Sequence, residues 1–270
     1  MAEGLYGVLR APLPGEGVGG GAPGAVTMIM DKGLGLRATV DLVEVAAPYI
    51  RYWKLPFGSA LLYPERRLRE KVSVVRAAGI VIYPGGTAME IAHEQGRLEA
   101  FYDWVETMGM TGVEVSDGTI CLSPKDRRQA IEAGARRGFT VLTEIGKKQH
   151  GSRFEPEEFW LQVAEDRAAG ASHVIVEGRE SGRGVGIYDD DGTIDPAALT
   201  RLVAGREDPA TLLWEAPDKE QQVAIIERFG PSVGIGNVPP GEVLALECLR
   251  QGLRADTFRW TLSIPPAAAL

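Results

Sequence analysis

Short apolar runs in this 270-residue chain repeatedly end on an ionisable side chain. Asp31 and Lys32 follow VTMIM, Lys54 closes YIRYW, and Glu114 sits in GVEVSDG. Glu144 lies in VLTEIGKK, Glu177 in VIVEGRESG and Glu215 in LLWEAP. Ionised groups are expensive to bury and are rarely set among strand residues without a task. Carboxylate and ammonium groups at the ends of successive strands are what a (β/α) barrel uses to build one active site from many strands.

Such side chains need a regular frame. Runs rich in β-formers predict strands at Val26–Met30, Tyr49–Lys54, Gly79–Tyr83, Gly112–Val115, Thr140–Glu144, His173–Glu177, Thr211–Glu215 and Val233–Ile235. The intervals leave room for one helix and two loops each time, which implies parallel strands and right-handed crossovers. Helix boundaries are readable. Ser123 is an N-cap with Pro124 at the first helical position and Gly138 as the stop. Glu155–Ala168 reads as a helix closed by Gly170, Asp218 caps KEQQVAIIERFG, and Thr87–Met108 reads as one long helix with an interior Gly96. Eight alternating units predict the α/β class and a (β/α)8 TIM barrel spanning 25–260 as one domain; an open doubly wound sheet is the alternative.

Residues 1–24, rich in Gly and Pro, predict a flexible arm, and 261–270 a loose tail. The N-terminus has no basic segment followed by an apolar one, so it does not read as a signal peptide. No run of 18 apolar residues suggests a membrane span. A net charge of −8 argues against nucleic acid as a partner. Cys121 and Cys248 form no C-x-x-C pair and read as buried, reduced thiols of a cytoplasmic protein. His93, His150 and His173 share no metal-ligand spacing.

DKGL (31–34), YPGGT (83–87), EVSDG (114–118), EIGKK (144–148), EGRESG (177–182), EAPDKEQQ (215–222), GN (236–237) and LRADT (253–257) are long and unusual motifs. In order and spacing they resemble the phosphosulfolactate synthase family, from about Thr27 to Thr257. The resemblance implies a (β/α)8 barrel that adds sulfite to phosphoenolpyruvate with Mg²⁺, giving (2R)-phospho-3-sulfolactate, an early step toward coenzyme M. It implies a carbon–sulfur bond-forming lyase with small anionic substrates, no nucleic-acid or membrane partner, and an expected homo-oligomer. Two alternatives stay open: a barrel enzyme that adds a different nucleophile to phosphoenolpyruvate, and a non-catalytic relative of the heat-stress type.

That chemistry assigns roles. Nucleophile and acceptor are both anions, and addition places an extra negative charge on the substrate carboxylate. A hard cation held by Glu114, Glu144 and Glu177, with Asp31 and Glu215 as further candidates, would stabilise that charge. The plainer reading makes some of these carboxylates ion-pair partners of Lys32, Lys54 and Lys147. Lys147 is the expected general acid, with Lys148 as substitute, because successive residues point different ways. Lys54 and Glu144 complete the expected catalytic set. Oxyanion binding falls to Lys32, to Gly86 and Thr87 at a helix start, and to Arg179, Ser181 and Gly182. Ser116, Gly236, Asn237 and Arg254 are also candidates, although Arg254 has Asp256 as a nearby partner. Ser116 and Asp117 have no fitting His nearby for covalent catalysis. The chain departs from the family pattern at Arg51, at Gly58–Ala60 around Ser59, and at Gly234. Expected near the cleft, these departures leave the nucleophile open.

Overall fold

The computed structural model describes residues 24–205 and 211–258; the expected arm up to residue 23 and the tail lie outside them. The strands are β1 (Thr27–Met30), β2 (Tyr52–Leu55), β3 (Val81–Pro84), β4 (Gly112–Val115), β5 (Thr140–Ile145), β6 (His173–Val176), β7 (Leu212–Glu215) and β8 (Gly234–Val238). Helices follow as α1 (Leu36–Ala46), α2 (Glu65–Ala77), α3 (Gly86–Glu94), α4 (Leu98–Met108), α5 (Pro124–Arg136), α6 (Pro156–Ala169), α7 (Pro196–Val203), α8 (Lys219–Phe229) and α9 (Val243–Arg250).

The strands pair in parallel in the order β3-β2-β1-β8-β7-β6-β5-β4. The remaining seam, between β3 and β4, is narrow: Thr111 N–H donates to the Ile82 carbonyl at 3.1 Å, and Thr111 Oγ1 accepts from Ile82 N–H at 3.3 Å. The result is a nearly closed (β/α)8 TIM barrel, not an open sheet.

Local sequence explains the frame. Ser123 Oγ accepts from Asp126 N–H at 3.1 Å and starts α5, and Asp218 and Gln221 form a capping box at α8. Gly170 ends α6 at φ 116°. The single helix expected over Thr87–Met108 is instead α3 and α4, because Gly96 adopts φ 65° and terminates the first.

The strand period of two builds the interior. Met28, Tyr52, Tyr83, Leu142, Ile175 and Leu213 form one buried cluster. Two residues further along β2, β5, β6 and β7 in the same register stand Lys54, Glu144, Glu177 and Glu215. Each of these four strands therefore puts an apolar floor beneath a charged roof. A second, larger cluster packs the strands against the helices. No described helix is long and apolar enough to cross a membrane. Both cysteines are free and neither is buried: Cys121 is exposed and Cys248 half-buried.

Candidate active site

The charged roof closes into one cluster. Lys54 Nζ stands 3.0 Å from Glu114 Oε2 and donates to Glu144 Oε2 and Glu215 Oε1, each at 3.2 Å. Lys148 Nζ donates to Glu144 Oε1 at 2.7 Å and lies 3.5 Å from Glu177 Oε2. Lys54 and all four carboxylates are buried, while the Lys148 side chain is 30% exposed and opens to solvent.

Backbone donors fix the other carboxylate oxygens. Gly86 N–H reaches Glu114 Oε1 at 2.7 Å, Gly178 N–H reaches Glu215 Oε2 at 3.0 Å, and Arg179 N–H reaches Glu177 Oε1 at 2.7 Å. Gly86 must be glycine, since a Cβ there would lie 2.2 Å from Ser116 Oγ and 2.8 Å from Glu114 Oε1.

Four carboxylates face two ammonium groups, and this imbalance governs the electrostatics. Burial pushes Glu114 up to about 7, against the pull of Lys54. Burial, then the charges on Glu144 and Glu215, raises Glu177 well above the carboxylate range. Glu144 is buried too, but Lys148 and Lys54 more than offset that cost and hold it below its usual value. Both lysines are raised despite burial, Lys54 by Glu114, Glu144 and Glu215, and Lys148 by Glu144 and Glu177. Glu144, Glu177 and Glu215 each offer an oxygen within 4.8 Å of the others, a spacing compatible with a metal ion. Glu177 Oε2 has no hydrogen-bond partner.

The backbone is strained around this cleft. Among the described residues, the non-glycine residues with positive φ are Phe57 (57°), Arg179 (62°) and Asn237 (55°), and all three line it. Asn237 Nδ2 donates to the Arg179 carbonyl at 3.1 Å, joining the loops after β6 and β8.

Other expected site residues are placed differently. Asp31 follows Ile29 in period and so points outward, where its carboxylate accepts from Gly33 and Leu34 N–H, from Trp53 Nε1 at 2.9 Å and from Lys71 Nζ. Its acceptor sites are filled, and it stands apart from the other strand-end carboxylates. Lys32 is exposed. Lys147 Nζ donates to the Asp117 carbonyl (2.6 Å), Asp117 Oδ2 (2.7 Å) and the Ile120 carbonyl (3.0 Å), away from the glutamates. Adjacent residues face opposite ways, and Lys148 is the one that enters.

Ser116 donates to buried Glu90 at 2.5 Å. Gly182 accepts from Gln221 Nε2 at 2.8 Å, and Ser181 is exposed. Gly236 faces the barrel interior, where a Cβ would meet Met28 Cε at 2.5 Å. Arg254 pairs with Asp256 at 3.7 Å. Thr87, Arg179 and Asn237 do reach the cleft. Of the departures from the family pattern, Arg51 precedes β2 and Gly234 opens β8, at the end of the barrel opposite the cluster; Ser59 alone lies on the loop beyond a strand's C-terminal end. Sequence reasoning missed Glu90, Lys71 and Arg127, buried charges carried by helices and not by strand ends.

The chain is similar to known proteins over most of its length. Residues 23–256 match the model of the (2R)-phospho-3-sulfolactate synthase (ComA) family. The chain is 38% identical over 235 residues to the phosphosulfolactate synthase of Methanothermobacter thermautotrophicus, covering 86% of this chain and 91% of that one. It is 34% identical over 234 residues to the phosphosulfolactate synthase of Bacillus subtilis, with 86% and 91% covered. Among solved structures it resembles 3-hexulose-6-phosphate synthase (TM-score 0.53, 16% identity, 83% of this chain and 98% of that one), a likeness of fold alone. On the family match and these relatives, the chain belongs to the phosphosulfolactate synthase family of enzymes.

Proposed function

We propose that the protein adds sulfite to phosphoenolpyruvate to give (2R)-phospho-3-sulfolactate, acting as a carbon–sulfur bond-forming lyase. The observation that carries this reading is the pair Lys54 and Lys148 set among four strand-end glutamates, in a chain of this family.

The donor set suits Mg²⁺. Glu144, Glu177 and Glu215 are hard oxygen donors within 4.8 Å of one another, Glu177 Oε2 lacks a hydrogen-bond partner, and carboxylates outnumber ammonium groups. A divalent cation there would supply Lewis-acid stabilisation of negative charge developing on the substrate carboxylate.

The protein's own side chains account for the rest. Lys54, buried and raised in pKa, remains an ammonium and attracts the substrate carboxylate. Arg179 and Thr87, which both line the cleft, receive the phosphate. The usual barrel alternative is disfavoured: Asp218 already occupies the start of α8, and Pro239 and Pro240 after β8 have no N–H to offer. The sulfite sulfur lone pair forms a bond to the methylene carbon, and the double-bond electrons move into the carboxylate. Lys148 then delivers its proton to the carbon that bears the phosphate ester and regains one from solvent on its exposed side. Lys148, not Lys147, takes the general-acid role in this reading.

A different nucleophile loses support, because Arg51 and Gly234 lie at the far end of the barrel. The test is phosphoenolpyruvate consumption by purified protein with Mg²⁺, with and without sulfite. Sulfite-dependent consumption is expected. Consumption that ignores sulfite, or none at all beside a phosphoenolpyruvate-induced thermal shift, would overturn the sulfite assignment.

A further inference from the structure

Lys148 is a flexible side chain that must hold one position between Glu144 and Glu177. The loops after β4 and β5 fix it through contacts that lie outside the glutamate cluster. Lys148 N–H donates to the Gly118 carbonyl at 3.1 Å. Its stem lies over Gly118, where a Cβ would stand 3.0 Å from Nζ and 3.1 Å from both Cγ and Cδ. Gly118 therefore forms the wall of the lysine's channel, and Lys148 can be no better placed than the 116–122 loop.

That loop is clamped from two sides. From the β5 loop, Lys147 Nζ spends its three donors on Asp117 O, Asp117 Oδ2 and Ile120 O. From α5, buried Arg127 donates to Asp117 Oδ1 at 3.1 Å and to the Glu144 carbonyl at 3.0 Å. Arg127 is itself anchored by a two-point contact with buried Asp166, through Nε at 2.8 Å and Nη2 at 2.6 Å. Asp117 thus joins Lys147 on one oxygen to Arg127 on the other. The same guanidinium grips the backbone of the glutamate that Lys148 meets. A solvated surface lysine would not be expected to find three acceptors within 3.0 Å, two of them main-chain carbonyls.

We propose that Lys147, acting with Arg127 through Asp117, is a positioning residue that locks the β4 and β5 loops together and holds Lys148 against Glu144 and Glu177. The functional consequence rests on the reading of Lys148 as proton donor. The positional consequence does not.

Two measurements separate those levels. The first is the acetylation rate of Lys148, followed by mass spectrometry under limiting acetic anhydride, in the unmodified protein, Lys147→Ala, Lys147→Arg and Gly118→Ala. Lys147→Ala and Gly118→Ala should raise Lys148 labelling severalfold, and Lys147→Arg, which can still reach the carbonyls, should keep it near the original rate. Gly118→Ala disturbs the channel without touching Lys147, so it shows that labelling reads the position of Lys148; Asp117→Ala, which breaks the same clamp from the other loop, stands in if Lys147→Ala folds poorly. Unchanged Lys148 labelling in the folded clamp variant, beside raised labelling in Gly118→Ala, would overturn the proposal.

The second is steady-state turnover of phosphoenolpyruvate and sulfite. Lys147→Ala should lower kcat by about 10- to 100-fold, the scale of a small misplacement of a reacting group, with KM for phosphoenolpyruvate changed by less than about threefold. Lys147→Arg should restore most of the rate, and added alkylamine should rescue Lys148→Ala but not Lys147→Ala. Full kcat in Lys147→Ala, or amine rescue of it, would overturn the positioning role. An inactive unmodified protein would instead count against the sulfite reading and leave the labelling result to decide the positioning.

Discussion

The two ends of the same eight strands solve the burial of polar groups in opposite ways. At the N-terminal end, buried polar side chains meet mostly neutral partners, with Arg250 Nε left over. Tyr52 Oη and His173 Nδ1 share a hydrogen bond of 2.8 Å, and burial, then the charges of Arg167 and Arg51, lowers His173 to about 4, so it is neutral. Arg250, 1% exposed, donates to the carbonyls of Pro231 and Val233 and closes the floor. At the C-terminal end, carboxylates outnumber ammonium groups, the Oε2 atoms of Glu90, Glu114 and Glu177 lack hydrogen-bond partners, and three non-glycine residues hold positive φ. A matched end is what stability favours. An unmatched, strained end is tolerated where a ligand completes it.

The largest effect is expected at Lys54. Lys54→Met should cut kcat by about a hundred- to a thousandfold, as loss of a positioned charge does. It should also cost about 3–5 kcal/mol in urea unfolding at neutral pH, because three buried carboxylates lose their shared cation. Arg250→Met should separate the two ends: about 2–3 kcal/mol of stability lost from stranded carbonyls, with kcat within about twofold of the original.

The charged mouth also makes stability depend on pH. Glu114 keeps its proton up to about 7 when folded but releases it near 4.5 when unfolded. Over that window the folded state binds more protons, so stability falls as pH rises from about 4.5 to about 7. Glu177, also raised, acts in the same direction. Glu144, held low, acts oppositely and loses stability only as pH drops below 4.5. Mg²⁺ should therefore raise Tm more at pH 8 than at pH 5.5, and Glu114→Gln should flatten the slope measured without metal. Equal shifts at both pH values would contradict a charge imbalance at the mouth. The smallest effect is expected at Ser116→Ala, which removes the 2.5 Å bond to Glu90 yet leaves the cluster's cations in place, and should change kcat by only a few fold.

Much of the frame was legible because period-two strands ending in a charge leave a plain trace. Glu114, Glu144, Glu177, Glu215 and Lys54 were found that way, and the structure brings all five together. Asp31 left the same trace but faces outward, because one residue of register decides the side and its partner Lys71 comes from 40 residues away. The choice between Lys147 and Lys148 was not legible either. It depends on the Gly118 channel and the Asp117 clamp, both built by another loop. Arg127 reads in PKDRRQ as one charge among several on a helix, and only the packing of α5 against α6 shows that it is buried against Asp166. Gly96 ended a helix rather than sitting inside one because its φ of 65° suits the turn that α3 and α4 need.

The proposed joining of sulfite to phosphoenolpyruvate at the unmatched mouth, with protonation through Lys148, leaves its trace in the product. It is tested most directly by NMR of ¹³C-labelled phosphoenolpyruvate incubated in D₂O with sulfite, Mg²⁺ and the protein. A sulfonate on the former methylene carbon and a single deuterium on the carbon bearing the phosphate ester are expected, and neither with Lys148→Ala. Unaltered phosphoenolpyruvate, or the same deuterated product at full rate from Lys148→Ala, would contradict it.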